Sequence, residues 1–175
     1  MMKVRIGGWA GQGTVRAGTI LGKALALEQD LHVVQQRSYS AAVRSGIAYS
    51  DVIVDKDELN ELVIEVPDYL LVLYQDTLDE WWDIAERTEH LIVDTTRVTD
   101  FSGFEGEVHQ VPAGRMAEKI GTSKAANVVL LGSLAGISDE IKLESLEKTI
   151  RVEFPEKYVD LNVEALKKGY ERVKR

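Results

Sequence analysis

Residues 7–13, GGWAGQG, close a short apolar run and stand at the start of a segment with helical spacing. Glycines at such a junction let the backbone approach an anion, and the helix that follows offers unpaired N–H groups and a positive dipole end. A dinucleotide-binding turn needs Gly-x-Gly-x-x-Gly there: one glycine for the turn, one for approach to pyrophosphate, one for helix–strand packing. Gly8, Ala10 and Gly13 hold those three places. The alanine puts a methyl where phosphate would come closest, while Gly11 beside it restores backbone freedom. At the end of the next predicted strand, where a carboxylate would hold a ribose hydroxyl, the chain has Gln35, Gln36 and Arg37. Arg37 suits an additional phosphate, which favours NADP or a 3′-phosphorylated nucleotide such as coenzyme A. A plain strand-to-helix turn is the competing reading of the same residues.

Other chemistries find less support. The 175 residues contain no cysteine, which excludes disulfides, thiolate zinc sites, cysteine ligation of iron–sulfur clusters and a cysteine nucleophile. His32, His90 and His109 are far apart and lack metal-ligand spacing, so structural roles and no metal site are expected. Serines at 38, 40, 45 and 50 have no Gly-x-Ser-x-Gly elbow and no identifiable base, which argues against a hydrolase. The formal charge of −8 disfavours nucleic acid as a partner. No apolar run approaches a membrane span and the N-terminus runs straight into a strand, so a cytoplasmic protein is expected.

The elements that must position the glycine loop follow from periodicity. A strand over 3–8 leads into a helix with Ala17, Ile20, Leu21, Ala24 and Leu25 at helical spacing. A second strand over 32–36 completes a βαβ unit, and a loop over 37–46 precedes a strand over 47–54. Unbroken apolar runs at 69–74 and 91–94 read as strands covered on both faces. Between them lies one helix over about 76–87, where Trp81 and Trp82 cannot both face inward and a subunit interface would cover one. A strand over 108–111 and helices over 113–120 and 123–135 follow; from Leu143 on, Pro155 separates two further helices, with Asn162 as a helix N-cap. The alternation predicts one α/β domain over 1–175, three-layered and Rossmann-like, with a largely parallel sheet and C-terminal helices. The basic residues at the end of the chain, from Lys167 to Arg175, read as a charged helix face.

Four segments in order resemble the gamma subunits of the 2-oxoacid:ferredoxin oxidoreductases: IGGWAGQG at 6–13, QRSYSAAVRSGIAYSDV at 36–52, NVVLLGSL at 127–134 and FPEKYVDLNVEALKKGY at 154–170. Departures from that pattern fall at Ala10, Ser40 and Ser45, where the family has glycine. The resemblance implies a part in oxidative decarboxylation of a 2-oxoacid with coenzyme A, giving acyl-CoA and reduced ferredoxin. It also implies alpha, beta and in some cases delta partner subunits, which carry thiamine diphosphate and the iron–sulfur clusters of the 4Fe–4S type. Gly8, Gly11, Gln12 and Gly13 would then form the coenzyme A phosphate loop through backbone and amide donors. Arg37 or Arg44 would pair with phosphate and Asn127 would add a polar contact. A free-standing NADP-binding α/β protein, or an interaction scaffold without a nucleotide, is the alternative.

Overall fold

The computed structural model describes residues 1–38 and 46–174. Strand β1 (Met2–Trp9) leads through the glycine loop into α1 (Thr14–Lys23), which continues as a π-helical turn over Ala24–Glu28. Then come β2 (His32–Ser38), β3 (Ile47–Asp55), β4 (Tyr69–Val72), α2 (Gln75–Glu80), α3 (Trp82–Ala85), β5 (His90–Asp94) and β6 (Glu107–Val111). Four helices close the chain: α4 (Ala113–Ile120), α5 (Ala126–Ile137), α6 (Leu143–Glu153) and α7 (Glu156–Val173).

The strands form a single six-stranded sheet in the order β2-β3-β1-β4-β5-β6. Pairings β1–β4, β4–β5 and β5–β6 are parallel, as the alternation of strands and helices predicts. The β1–α1–β2 segment, however, is not a unit of adjacent strands. Strand β3 inserts between β1 and β2 and pairs antiparallel with both, from Met2↔Val54 to Trp9↔Ile47 on one side and from His32↔Asp55 to Ser38↔Tyr49 on the other. The reason lies in the side chains: β3 is buried over most of its length, whereas β2 has no fully buried residue and carries three polar side chains in a row, Gln35 to Arg37, which suits an edge.

Helices α1, α4, α5, α6 and α7 pack the main core on one sheet face, around Val4, Ile6, Leu71 and Ile92. The alternate strand residues Leu70, Val72, Leu91 and Val93 face a smaller cluster with Leu78 and Ala85 on the other. This is the period-2 alternation of buried strands, seen here as two cores. The helix expected over about 76–87 is instead two short ones that break at Trp81, whose backbone leaves the helical region at φ −106° and ψ 21°. The break lets both tryptophans pack: Trp81 lies over the Arg5 guanidinium, while Trp82 joins the smaller cluster and donates to Glu86. Arg5 and Asp51 form a buried bidentate ion pair on this face, with both N–O distances 2.7 Å.

Helix α5 is buried almost all round, from Asn127 to Ala135, as befits a helix apolar on every face. It lies against α7 with the two helices running the same way. Gly132 meets the backbone of Leu166 and Tyr170, and Gly169 meets that of Val129 and Ser133. A Cβ at either position would overlap a carbonyl of the other helix, so only glycine permits this approach. Ser133 Oγ sits 3.1 Å from both Val129 O and Gly169 O and ties the two helices together. Asn162 is not an N-cap: α7 begins at Glu156 after Pro155, and the Asn162 amide donates one turn back to Tyr158 O at 2.8 Å. Among the described residues no helix is long and apolar enough to cross a membrane.

Candidate functional site

At the C-terminal end of β1 the loop turns through two left-handed glycines, Gly11 at φ 93° and Gly13 at φ 77°. Both conformations are costly for any residue with a Cβ. Gly13 is the N-cap of α1 and offers no side-chain cap, so the first-turn N–H groups of α1 have no acceptor within the helix. At Gly13 a Cβ would also stand 2.6 Å from Asn127 Nδ2. That nitrogen donates to Gly13 O at 2.9 Å and pins the start of α5 to the start of α1.

These contacts open a cleft of about 560 Å³ between the glycine loop, the α4–α5 connection and the start of α7. It lies within the range of about 300–1,000 Å³ that small-molecule sites occupy. Arg16 and Lys124 line it, and among the described lining residues none is acidic, a local reversal of the chain's net charge of −8. The Arg16 guanidinium lies 4.9 Å from the Phe154 ring centroid, which holds the cation across the junction of α6 and α7. Thr122 caps the short 3₁₀ turn before α5 by accepting from Lys124 N at 3.2 Å. Phe154, Tyr158 and Leu161 supply an apolar wall. Asn127 is 3% exposed, and its Oδ1 is a buried acceptor with no hydrogen-bond partner. Such an atom calls for a donor from a ligand or water. Helix N-termini, two cations and a buried acceptor together suit an anion that also carries N–H or O–H donors.

The structure sorts the residues singled out from the sequence. Gly11, Gln12, Gly13 and Asn127 line the cleft. Gly8 lies one residue before the end of β1, where a Cβ would meet Gln12 Oε1 at 2.5 Å and Leu73 at 3.0 Å. Its absence of a side chain makes room for Gln12 to fold inward. The Gln12 amide is turned to the backbone: Oε1 accepts from Trp9 N at 2.5 Å and Nε2 points at Leu73 O, 3.4 Å away. In this conformation Gln12 braces the ends of β1 and β4 from the cleft wall. Ala10 is exposed, lies outside the cleft lining and bonds Gly46 O through its N–H at 2.9 Å. Arg37 sits on edge strand β2, exposed and opposite Ser50, and does not line the cleft. With β3 between β2 and β1, the specificity argument from the end of the second strand loses its geometry. Arg44 and Tyr39 lie outside the described residues.

Arg16, Lys124, Thr122, Phe154 and Tyr158 escaped the sequence reading as site residues. Arg16 carried a usable signal, three residues past the N-cap on the first turn of α1. Phe154 and Tyr158 lie in the fourth resembling segment, whereas Lys124 has no local mark. Among the described residues of the second and third resembling segments, Ser50 and Asp51 serve packing against Gly18 and Arg5, and Gly132 serves the crossing with α7.

Comparison with known proteins places this geometry. The profile of the family described as pyruvate ferredoxin/flavodoxin oxidoreductase matches residues 3–172. The chain is 33% identical over 175 residues to the 2-oxoglutarate synthase subunit KorC of Methanocaldococcus jannaschii, covering 98% of this chain and 94% of that one. Its structure resembles the gamma subunit of the keto/oxoacid ferredoxin oxidoreductase from Geobacter sulfurreducens with a TM-score of 0.87, at 28% identity and covering 99% and 98% of the two chains. The fold is also shared with the 2-oxoglutarate:ferredoxin oxidoreductase of Magnetococcus marinus, solved with 2-oxoglutarate, coenzyme A and succinyl-CoA bound. There the TM-score is 0.87 at 19% identity, covering 98% of this chain and 31% of that one.

Proposed function

Because the chain belongs to the pyruvate ferredoxin/flavodoxin oxidoreductase family, as a gamma-type subunit of a 2-oxoacid:ferredoxin oxidoreductase, we propose that its glycine-loop cleft binds coenzyme A for the assembled enzyme. The observation that carries this reading is the cleft's combination of Arg16, Lys124 and the uncapped N-terminus of α1 with the buried, unpartnered Oδ1 of Asn127. The phosphates of the nucleotide end match the cations and the first turn of α1. Asn127 Oδ1 accepts a hydrogen bond from an amide or hydroxyl of the same molecule, and Phe154 and Leu161 shelter its apolar parts. That the Magnetococcus marinus enzyme was solved with coenzyme A bound supports the choice of ligand.

In this reading the domain spanning 1–175 contributes binding and scaffold. The thiamine diphosphate that activates the 2-oxoacid and the iron–sulfur clusters that pass electrons to ferredoxin belong to alpha, beta and, where present, delta subunits. The lack of any cysteine fits that division. The isolated chain binds but does not turn over. The rival, a free-standing NADP protein, drew its support from Arg37, which the fold leaves on an edge strand away from the cleft.

Titration calorimetry of the chain and of the assembled enzyme with coenzyme A and NADP tests the assignment. Coenzyme A is expected to bind, and Lys124→Ala to weaken it about tenfold or more. In the assembled enzyme the same change raises KM for coenzyme A more than it lowers kcat. Heat from NADP with none from coenzyme A would overturn the proposal.

A further inference from the structure

At the opposite end of the sheet, the parallel pairing of β5 with β6 sets His90 opposite Glu107 and Ile92 opposite His109. Two histidines 19 residues apart thereby become neighbours. His90 Nδ1 and His109 Nε2 are 3.4 Å apart, His90 Nδ1 and Glu107 Oε2 3.5 Å, and His109 Nε2 and Glu107 Oε1 3.9 Å. Ligands bound at about 2.0–2.1 Å around a tetrahedral ion are separated by about 3.3–3.4 Å. The two ring nitrogens are too far apart for a good N–H···N bond and well placed to share an ion.

The surroundings favour positive charge. The carboxyl ends of α5, at Ala135 to Ile137, and of α7, at Val173, line the same cavity of about 420 Å³, and helix C-termini attract cations. The His90 ring stacks on Tyr69 with centroids 4.8 Å apart, which fixes its plane. Its other nitrogen, Nε2, lies 3.8 Å from Glu89 Oε1, beyond hydrogen-bond reach, so Glu89 adds only a nearby negative charge. Both imidazoles are mostly covered, at 19% and 13% exposure. Asp139 adds a carboxylate at the cavity wall, and the Lys174 ammonium, also present, lies over the Tyr170 ring at 5.1 Å.

We propose that His90, His109 and Glu107 form a site for a divalent transition-metal ion of the zinc class, which fastens edge strand β6 to β5 beneath the ends of α5 and α7. Two imidazoles and one carboxylate suit Zn²⁺ or Co²⁺ over Mg²⁺ or Ca²⁺, and water completes the shell. The site is remote from the glycine-loop cleft, and its ion strengthens the fold. The inference stands independently of coenzyme A binding.

Titration of the folded, chelator-treated chain with Co²⁺, followed by its visible ligand-field absorption, and with Zn²⁺ by calorimetry tests it. One ion per chain is expected, with the intense absorption of a four-coordinate site. His109→Ala should weaken binding about a hundredfold or more and Glu107→Gln about tenfold, while His32→Asn leaves it unchanged. Zinc at a hundredfold excess over its Kd should raise Tm by about 5–10 °C. Absence of stoichiometric uptake by the unsubstituted chain overturns the proposal, as does uptake that survives replacement of both His90 and His109.

Discussion

The two ends of the α5–α7 pair differ in the sign of charge they invite. Both helices start beside the glycine loop, where Asn127 and Tyr158 line a cleft with Arg16 and Lys124, and both end beside His90, Glu107 and His109. Because the helices run in the same direction, their dipoles add: N–H groups and positive ends face the first region, carbonyls and negative ends the second. Local sign thus follows backbone direction, and the chain's net charge of −8 does not forbid an anion site. The weld that makes the pair parallel and close is glycine against backbone at Gly132 and Gly169.

The most severe perturbation forces that weld apart. Gly132→Val drives a branched side chain into the Leu166 carbonyl, and urea denaturation should show a loss of about 3 kcal/mol or more. Coenzyme A and metal binding should fail together, since both ends hang on the same two helices. Retention of either alone would mean that the ends are positioned independently.

A charge reversal at one end separates them. Arg16→Glu should reduce coenzyme A affinity by about ten- to hundredfold, with a weaker salt dependence of what remains. Metal uptake at the histidine end should be unchanged. Gly22→Ala is the small-effect counterpart of the Gly132 substitution: its Cβ meets only Val33 Cγ1, at an ordinary 3.6 Å. Helix propensity should then dominate, and thermal unfolding should show a gain of up to about 1 kcal/mol.

The smallest effect concerns Glu147, which bonds Arg151 within α6 and reaches Lys167 on α7. Arg151 first and Lys167 second hold its carboxyl below the usual carboxylate range. Its folded value being the lower one, its stabilisation is complete above the unfolded value of about 4.3 and is lost as pH falls through the folded value. Glu147→Gln should therefore cost under about 1 kcal/mol at pH 7 and nothing measurable at pH 2, checked by chemical denaturation at both.

Much of this architecture is legible residue by residue. Of the apolar run 69–74, Tyr69–Val72 forms a strand covered on both faces, the segment Ala113–Ile120 is a helix with the predicted limits, and Pro155 parts α6 from α7. In each case the signal lies among neighbours in the chain, where periodicity and proline geometry act. The helix across 76–87 misleads, because a continuous helix would splay two adjacent tryptophans and the break at Trp81 lets both pack. At the site, Gly11, Gly13 and Asn127 stand out in the sequence, while Arg16, Lys124 and Phe154 come from three separate elements that meet only in the fold.

The strand runs, the helical periods and the glycine turn follow from local sequence alone, because each depends on the conformational freedom and polarity of adjacent residues. Long-range packing set the rest: β3 parts β2 from β1, Gln12 turns inward while Arg37 stays at the edge, and His90 meets His109. Those outcomes depend on strand order, register and helix direction, which are settled by pairing and burial among residues far apart in the chain.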